Sequence, residues 1–90
     1  MLGLISLNYK IAPVKIRELF YIYPEEYQKI FNEINERVTL KGLFIISTCN
    51  RTELYFETAK NQASHNKTYH SVIMTLSKLK RFNDGLRPYI

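Results

Sequence analysis

Apolar and polar positions in the first half of the chain predict one strand followed by two helices. Residues 2–7 are almost continuously apolar, which is typical of a strand buried on both faces. Pro13 fits a first helical turn, and apolar residues over 14–20 predict a short helix behind it. Pro24 begins a second helix, in which apolar residues recur at helical spacing over 27–38. We expect the apolar face of this second helix to pack against the core.

The second half of the chain predicts two more strands and a third helix. Residues 42–47 are mostly apolar, and residues 53–58 alternate between apolar and polar positions, so both segments predict strands. Residues 60–67 are polar and predict a loop. Apolar residues then recur at helical spacing over 69–79, with basic residues near the end of the segment, where the helix dipole favours cations.

The order of these elements predicts the fold class. Gly85 is expected to stop the third helix, and residues 86–90 are expected to begin a further strand. Strand, helix in two pieces, strand, strand, helix and strand is the βαββαβ order of ferredoxin-like domains. We therefore expect an α+β, ferredoxin-like sandwich in which residues 1–90 form a single domain and the last strand is truncated or incomplete.

Composition narrows the class of protein. The chain has 90 residues, 46% of them hydrophobic and 23% charged, which fits one small globular domain. No apolar run approaches the roughly 20 residues that span a bilayer, and the N-terminus does not resemble a signal peptide. A single cysteine can form no internal disulfide, so we expect a cytoplasmic protein. The net charge of +5, concentrated toward the C-terminus, is compatible with a nucleic-acid partner or with an ordinary solvated surface.

The single cysteine, Cys49, is the candidate for chemistry. A cysteine at the end of an apolar strand is usually a buried, inert residue, but Thr48 and Asn50 favour a turn rather than a core position. Arg51 adds a permanent positive charge that favours a thiolate, the nucleophilic form of the side chain. Cys49 is therefore expected to lie exposed on a hairpin loop.

The neighbours of Cys49 have two interpretations each. The Arg51 guanidinium could hold a substrate carboxylate through two hydrogen bonds, or it could pair with Glu53 at the surface. Thr48 and Asn50 could bind substrate, or they could cap their own turn. The spacing alone does not separate these alternatives.

Two segments resemble the glutamyl-tRNA reductase family. Residues 47–55 read Ser-Thr-Cys-Asn-Arg-Thr-Glu-Leu-Tyr, which is similar to the active-site motif of that family. Residues 7–14 read Leu-Asn-Tyr-Lys-Ile-Ala-Pro-Val, are followed by Arg17 and Glu18, and are similar to the opening segment of the family. The similarity covers essentially the whole chain, although residues 58–90 carry little of it.

The resemblance implies a function and a role for each motif residue. Cys49 would attack the ester that links glutamate to tRNA(Glu) and form a thioester. Hydride from NADPH would then release glutamate-1-semialdehyde, the first committed intermediate of tetrapyrrole synthesis, including porphyrin and haem. Arg51 would hold a glutamate carboxylate, and Thr48 and Asn50 would line the substrate pocket. The family also implies a homodimer and a glutamate-1-semialdehyde aminomutase as a partner.

The chain departs from the family pattern in several places. Tyr9 stands where the family usually has histidine, and Ile11 where it usually has threonine. The scattered glycines form no phosphate-binding fingerprint, and neither His65 nor His70 matches the histidine of the family's downstream segment, so both are expected at the surface. We therefore expect the N-terminal part of the catalytic domain, without NADPH-binding and dimerisation domains and inactive alone in reduction.

Two other classes of function compete with this one. A small basic βαββαβ domain with seven tyrosines and five phenylalanines could bind single-stranded RNA by stacking bases on Tyr9 and Tyr55. Glu53 and Glu57 argue against that interpretation, because they repel phosphate. A regulatory or dimerising domain without chemistry is the third possibility, and it would make the Cys49 motif a coincidence.

Overall fold

Three strands and three helices make up most of the part of the chain that the computed structural model describes, which is residues 1–58, 61–82 and 85–89. In chain order these elements are β1 (Leu2–Asn8), α1 (Val14–Leu19), α2 (Tyr27–Arg37), β2 (Gly42–Ser47), β3 (Arg51–Glu57) and α3 (Gln62–Leu79). Short 3₁₀ turns occur at Pro24–Glu26 and Arg87–Tyr89. The α+β class is confirmed.

The strands form one antiparallel sheet in the order β1-β3-β2. Leu54 in the central strand is paired with Ile5 on one side and with Ile45 on the other, so all three side chains lie on the same face of the sheet. That face is the buried one, because Ile5, Leu54 and Ile45 all belong to the hydrophobic core. The register therefore decides which residues of the hairpin point inward.

Helices α2 and α3 complete the core with apolar residues from their inner faces. Ile30 and Ile34 of α2 are fully buried, as are Val72 and Leu76 of α3. The prediction that residues 2–7 are buried on both faces is wrong, because residues alternate along β1 and Leu2 is 74% exposed. Only one face of this sheet is covered by helices.

Helix α3 begins earlier than its polar first turn predicts. Asn61 caps the helix, because its side-chain oxygen accepts a hydrogen bond from the Ser64 amide at 2.8 Å. The predicted loop over residues 60–67 is therefore wrong from Gln62 onward, and Lys60 lies outside the described residues. Within the described ranges, no helix combines the length and apolarity that crossing a bilayer requires.

The two histidines differ in their surroundings. His70 is exposed on α3, as expected. The surface position predicted for His65 is wrong, because its imidazole is buried against the rings of Phe56 and Tyr69, with ring centroids 5.7 Å and 5.2 Å away. Its Nδ1 also lies 3.4 Å from the hydroxyl of Thr58. His65 is thus a core residue placed by its ring contacts.

The C-terminal segment departs from the predicted fold. Helix α3 ends at Leu79, and Arg81 follows it with a positive φ of 55°, so the helix stops well before Gly85. Arg87–Tyr89 form a 3₁₀ turn where a strand was expected, and Ile90 lies outside the described residues. The described ranges therefore contain no fourth strand.

Lys80 connects the end of α3 to the start of α2. Its Nζ donates to the Glu26 carboxylate at 3.0 Å and to the Tyr21 carbonyl oxygen at 2.6 Å, with only 10% of the lysine side chain exposed. Burial raises the pKa of Glu26, but the hydrogen bond from the Tyr23 amide and the interactions with Lys80 outweigh it, and the resulting pKa lies below its ordinary 4.5. Glu26 is therefore held as a carboxylate.

This ion pair predicts a component of acid sensitivity. Because the pKa of Glu26 is lower in the folded state, its stabilisation is present above its ordinary pKa of 4.5 and is lost as the pH falls through the folded value. Glu26→Gln should lower the free energy of unfolding by about 1 kcal/mol at neutral pH, with the difference shrinking in acid. Urea titrations at pH values above and below this pKa measure the free energy of unfolding of the two proteins. Glu25→Gln is the control: Glu25 is exposed, so the stability difference between this variant and wild type should not change with pH. If the stability difference between wild type and Glu26→Gln is the same at both pH values, the role of Glu26 is wrong.

Candidate functional site

Cys49 lies on the short loop that joins β2 to β3. β2 ends at Ser47 and β3 begins at Arg51, so the loop comprises residues 48–50, and the Cys49 thiol is free and exposed. The predicted position of Cys49 on a hairpin loop is confirmed. An exposed thiol on a loop fixed by two paired strands is accessible to a substrate.

Thr48 fixes the conformation of this loop. Its hydroxyl oxygen accepts hydrogen bonds from the amides of Asn50 at 3.3 Å and Arg51 at 3.2 Å. The Thr48 amide in turn donates to the Arg51 carbonyl oxygen at 2.8 Å, which closes the turn. Thr48 therefore caps its own turn, while its predicted contact with substrate stays a prediction. Nothing among the described residues hydrogen-bonds the Asn50 side chain, so its amide can meet a ligand.

Two paired hydroxyls, from the half-buried Ser47 and the buried Thr52, anchor the loop to the segment after α1. The Ser47 and Thr52 hydroxyls lie 3.0 Å apart at the two ends of the loop. Thr52 donates to the Phe20 carbonyl oxygen at 3.1 Å, and the Ile22 amide donates to Ser47 Oγ at 2.9 Å. Because buried hydroxyls are costly to leave unpaired, this network holds the loop next to residues 20–22.

Arg51 pairs with Glu53, one of its two predicted alternatives. Arg51 Nε lies 3.5 Å from Glu53 Oε1, and 52% of the arginine side chain remains exposed. Glu53 is itself held by hydrogen bonds from the hydroxyls of Ser6 at 3.2 Å and Tyr55 at 3.3 Å. Because a guanidinium carries five N–H donors, the pairing with Glu53 leaves donors for a second carboxylate. Glu53 thus positions a cation that is still able to bind.

A cleft of about 560 Å³ brings these residues together. Its volume falls in the range of roughly 300–1,000 Å³ that is usual for small-molecule sites. It contains all four of the predicted site residues together with polar neighbours from the end of β1 and the start of β3, and it is lined by Asn8, Tyr9, Lys10, Thr48, Cys49, Asn50, Arg51 and Glu53. We call it the cysteine cleft.

The cysteine cleft also contains residues that the sequence reasoning did not assign to the site. Lys10 adds a second cation to the lining that contains Arg51, and Tyr9 lines the same cleft. Arg17 of α1 contacts the loop, because its Nη1 donates to the Cys49 carbonyl oxygen at 3.4 Å. Its Nε donates to the Ala12 carbonyl oxygen at 3.1 Å. The resemblance over residues 7–18 was the signal for these positions.

Other parts of the described chain offer less chemistry. No three His, Cys, Asp or Glu side chains within the described ranges come together as a metal site. A cleft of about 440 Å³ between the end of α2 and the start of α3 has hydroxyl and lysine side chains in its lining but no cysteine or histidine. Tyr9 lines the cysteine cleft, and Tyr55 lies on the uncovered face of the sheet beside Phe44, with its hydroxyl bonded to Glu53. Base stacking on these two tyrosines stays a prediction.

Comparison with known proteins identifies the family. The family model described as "Glutamyl-tRNAGlu reductase, N-terminal domain" matches residues 5–89. The chain belongs to this family. Glutamyl-tRNA reductases from Desulfitobacterium hafniense and Halalkalibacterium halodurans are 48% and 44% identical to it over 54 and 52 residues. A third, from Aromatoleum aromaticum, is 40% identical over 58 residues.

The matched segments are a small part of these glutamyl-tRNA reductases. They cover 60%, 58% and 64% of this chain but only 12%, 11% and 14% of the three relatives. The resemblance carried by residues 47–55 is thereby confirmed at the level of the family. The activity of the complete reductases is a separate matter, since most of their length lies outside the match.

Proposed function

We propose that Cys49 of this chain attacks the ester bond of glutamyl-tRNA(Glu) and takes the glutamyl group as a thioester. The exposed thiol in the cysteine cleft, in a chain of the glutamyl-tRNA reductase family, carries this proposal. A thiolate is intrinsically a strong nucleophile, and an aminoacyl ester is an activated acyl donor. The acyl transfer is the first half of a reduction that yields glutamate-1-semialdehyde for tetrapyrrole synthesis.

The cations of the cysteine cleft favour a glutamyl substrate. The glutamyl group carries a side-chain carboxylate, and Arg51 and Lys10 line the same cleft as the nucleophile. Arg51 would bind this carboxylate with donors that Glu53 does not occupy, and the Asn50 amide would hydrogen-bond the same substrate. Thr48 would contribute by holding the loop. The side-chain carboxylate of the glutamyl group is thus recognised by charge, in the same cleft as the thiol that attacks the ester carbonyl carbon.

Replacing Arg51 tests this recognition. Arg51→Met should slow glutamyl transfer from glutamyl-tRNA to Cys49 by about 10- to 100-fold, because a charge-assisted hydrogen-bond pair to the carboxylate is lost. The preference for glutamyl over glutaminyl esters should fall with it. The rate of transfer of radiolabelled glutamate to the chain is the measurement.

Arg37 provides the matched control for this substitution. It is exposed at the end of α2, and Arg37→Met removes the same charge away from the cysteine cleft. Its transfer rate should stay within about twofold of wild type. Equal losses in the two variants, or an unchanged glutamyl preference in Arg51→Met, would refute the role of Arg51.

The hydride step is not assigned to residues of this chain. NADPH would supply the hydride that reduces the thioester, but the described residues do not fit its phosphates. Gly3 lies on β1, Gly42 begins β2 and Gly85 follows α3, so they form no common loop, and the ring of Phe56 lies directly against Gly3. We propose that this chain acts in acyl transfer and that NADPH binding belongs to another part of the reductase.

We also propose that the described sheet is three strands of a ferredoxin-like sandwich. β1 pairs only with β3 in the described part of the chain, so its other edge could pair with a strand that follows α3. The Tyr69 hydroxyl donates to the Leu4 carbonyl oxygen on β1 at 2.5 Å. The single domain over residues 1–90, the homodimer, the aminomutase partner and the cytoplasmic location stay predictions.

A further inference from the structure

A second cleft lies beside Cys49, away from Arg51 and Lys10. It has a volume of about 380 Å³ and is lined by Arg17, Glu18, Tyr21, Tyr23 and Cys49. Cys49 is the one residue that it shares with the lining of the cysteine cleft. We call it the tyrosine cleft. Cys49 therefore belongs to the lining of two clefts of different chemical character.

The tyrosine cleft is aromatic, and its charged lining residues are the cation Arg17 and the carboxylate Glu18. The rings of Tyr21 and Tyr23 meet edge to face with centroids 4.9 Å apart, and Tyr23 is 52% exposed. Lys80 fixes this pair, because its Nζ bonds the Tyr21 carbonyl oxygen and lies 5.6 Å from the centroid of the Tyr23 ring. Exposed aromatic rings beside fixed cations are the elements that proteins use to stack a base and hold its phosphate. The Glu18 carboxylate, also in the lining, can accept from ribose hydroxyls.

The reaction requires two sites around the nucleophile. When the thiol attacks the ester carbonyl carbon, the sulfur–carbon bond forms and the carbon–oxygen bond to the ribose breaks. The thiol proton ends on the ribose oxygen, so the terminal nucleoside leaves as an alcohol. The acyl group and the leaving group lie on different sides of the bond that breaks, so each needs its own site near the sulfur, and Cys49 is in the lining of two clefts.

We infer that the tyrosine cleft binds the terminal adenosine of the aminoacyl-tRNA, while the cysteine cleft binds the amino acid. This inference rests on the proposed acyl transfer, and it names the part of the substrate that each cleft recognises. Tyr23 stacks the adenine, Tyr21 holds the Tyr23 ring by its edge-to-face contact, and Arg17 contributes the positive charge that faces the adjoining phosphate. Arg17 keeps its bond to the Cys49 carbonyl oxygen, which connects the leaving-group side to the nucleophile loop.

Titration of the isotope-labelled 90-residue chain with AMP tests the inference by NMR. AMP should shift the amide resonances of residues 17–23, and Tyr23→Leu should weaken its binding about tenfold, because the stacking surface is lost. Tyr21→Leu should do the same, whereas Tyr23→Phe should bind within about twofold of wild type, since it keeps the ring. Tyr27→Leu is the control, because Tyr27 is exposed on α2 beside Phe31 and Leu43.

Several results would overturn the inference. They are the absence of AMP binding, binding that shifts only the resonances of the cysteine cleft, and equal affinity in wild type and both leucine variants. The Tyr23→Phe variant and the amide spectrum show whether a loss of binding comes from unfolding.

A glutamyl-transfer assay on the same variants separates this inference from the proposed function. If wild type and Tyr23→Leu transfer glutamate at equal rates from limiting glutamyl-tRNA, the assignment of the tyrosine cleft is wrong and the proposed function stands. If AMP binds at residues 17–23 but no variant accepts glutamate, the nucleoside site is supported and the acyl transfer is wrong.

Discussion

Cys49→Ser is expected to reduce covalent capture of glutamate by at least about a thousandfold. The serine hydroxyl is a far weaker nucleophile than a thiolate, and removing the attacking group of a covalent mechanism typically costs several orders of magnitude. Retention of radiolabelled glutamate on the denatured chain, after incubation with glutamyl-tRNA, measures the effect.

The same variant isolates chemistry from binding and folding. Cys49 is exposed and its thiol has no structural partner in the described part of the chain, so Cys49→Ser should change the free energy of unfolding by no more than about 0.5 kcal/mol. Affinity for uncharged tRNA should be unchanged. Undiminished capture of glutamate by the folded variant would assign the acyl acceptor to another residue.

Gly3→Ala should destabilise the fold strongly, because the added methyl group has no space to occupy. A Cβ at Gly3 would lie 2.3 Å from Phe56 Cζ, 2.4 Å from Phe56 Cε2 and 2.9 Å from His65 Cε1. The Phe56 ring cannot easily yield, because it is 1% exposed and meets Tyr69 edge to face at 5.0 Å. Overpacking of this kind should cost about 3 kcal/mol, which lowers Tm by at least about 10 °C in a domain of this size.

Gly42→Ala is the matched control for that experiment. Gly42 begins β2, and a Cβ there would meet nothing within 4 Å. Its Tm should stay within about 3 °C of wild type, or rise slightly because alanine restricts the unfolded chain. Thermal unfolding followed by circular dichroism compares the two variants. Equal Tm values for Gly3→Ala and wild type would show that the ring of Phe56 moves aside freely.

Local pattern was sufficient to predict most of the strands and helices. Alternation over residues 53–58 matches β3, which runs over Arg51–Glu57, and the helical spacing over 27–38 matches α2. These predictions succeed because burial on one face of a strand or helix imposes a period on the sequence. The loop position of Cys49 followed from the turn-forming residues around it.

Tertiary contacts decided what the pattern missed. The first turns of α3 are polar in sequence, yet His65 and Thr68 are buried, because the aromatic rings of Phe56 and Tyr69 receive the imidazole and Thr68 Oγ1 donates to the Ser64 carbonyl oxygen. No periodicity of apolar residues can reveal such a contact. Leu2 is an apolar residue that is exposed, because an apolar run does not tell whether one or both faces of the strand are covered by helices.

The candidate site was predictable in its chemistry but not in its full extent. The motif around Cys49 identified four residues that lie in one cleft. Lys10 and Arg17 come from segments that the sequence places more than thirty residues before the nucleophile, and only the sheet pairing of β1 with β3 and the bonds of Arg17 bring them near. Proximity between residues so far apart in the sequence depends on tertiary contacts and on the register of strand pairing.

The mass of the intact chain after exposure to glutamyl-tRNA, without NADPH, tests the central claim most directly. The account predicts a gain of one glutamyl group on the peptide that contains Cys49, and its release by neutral hydroxylamine, which cleaves thioesters. Peptide mapping of the same sample locates the adduct. An unmodified chain, or a glutamyl group attached elsewhere, would contradict the account.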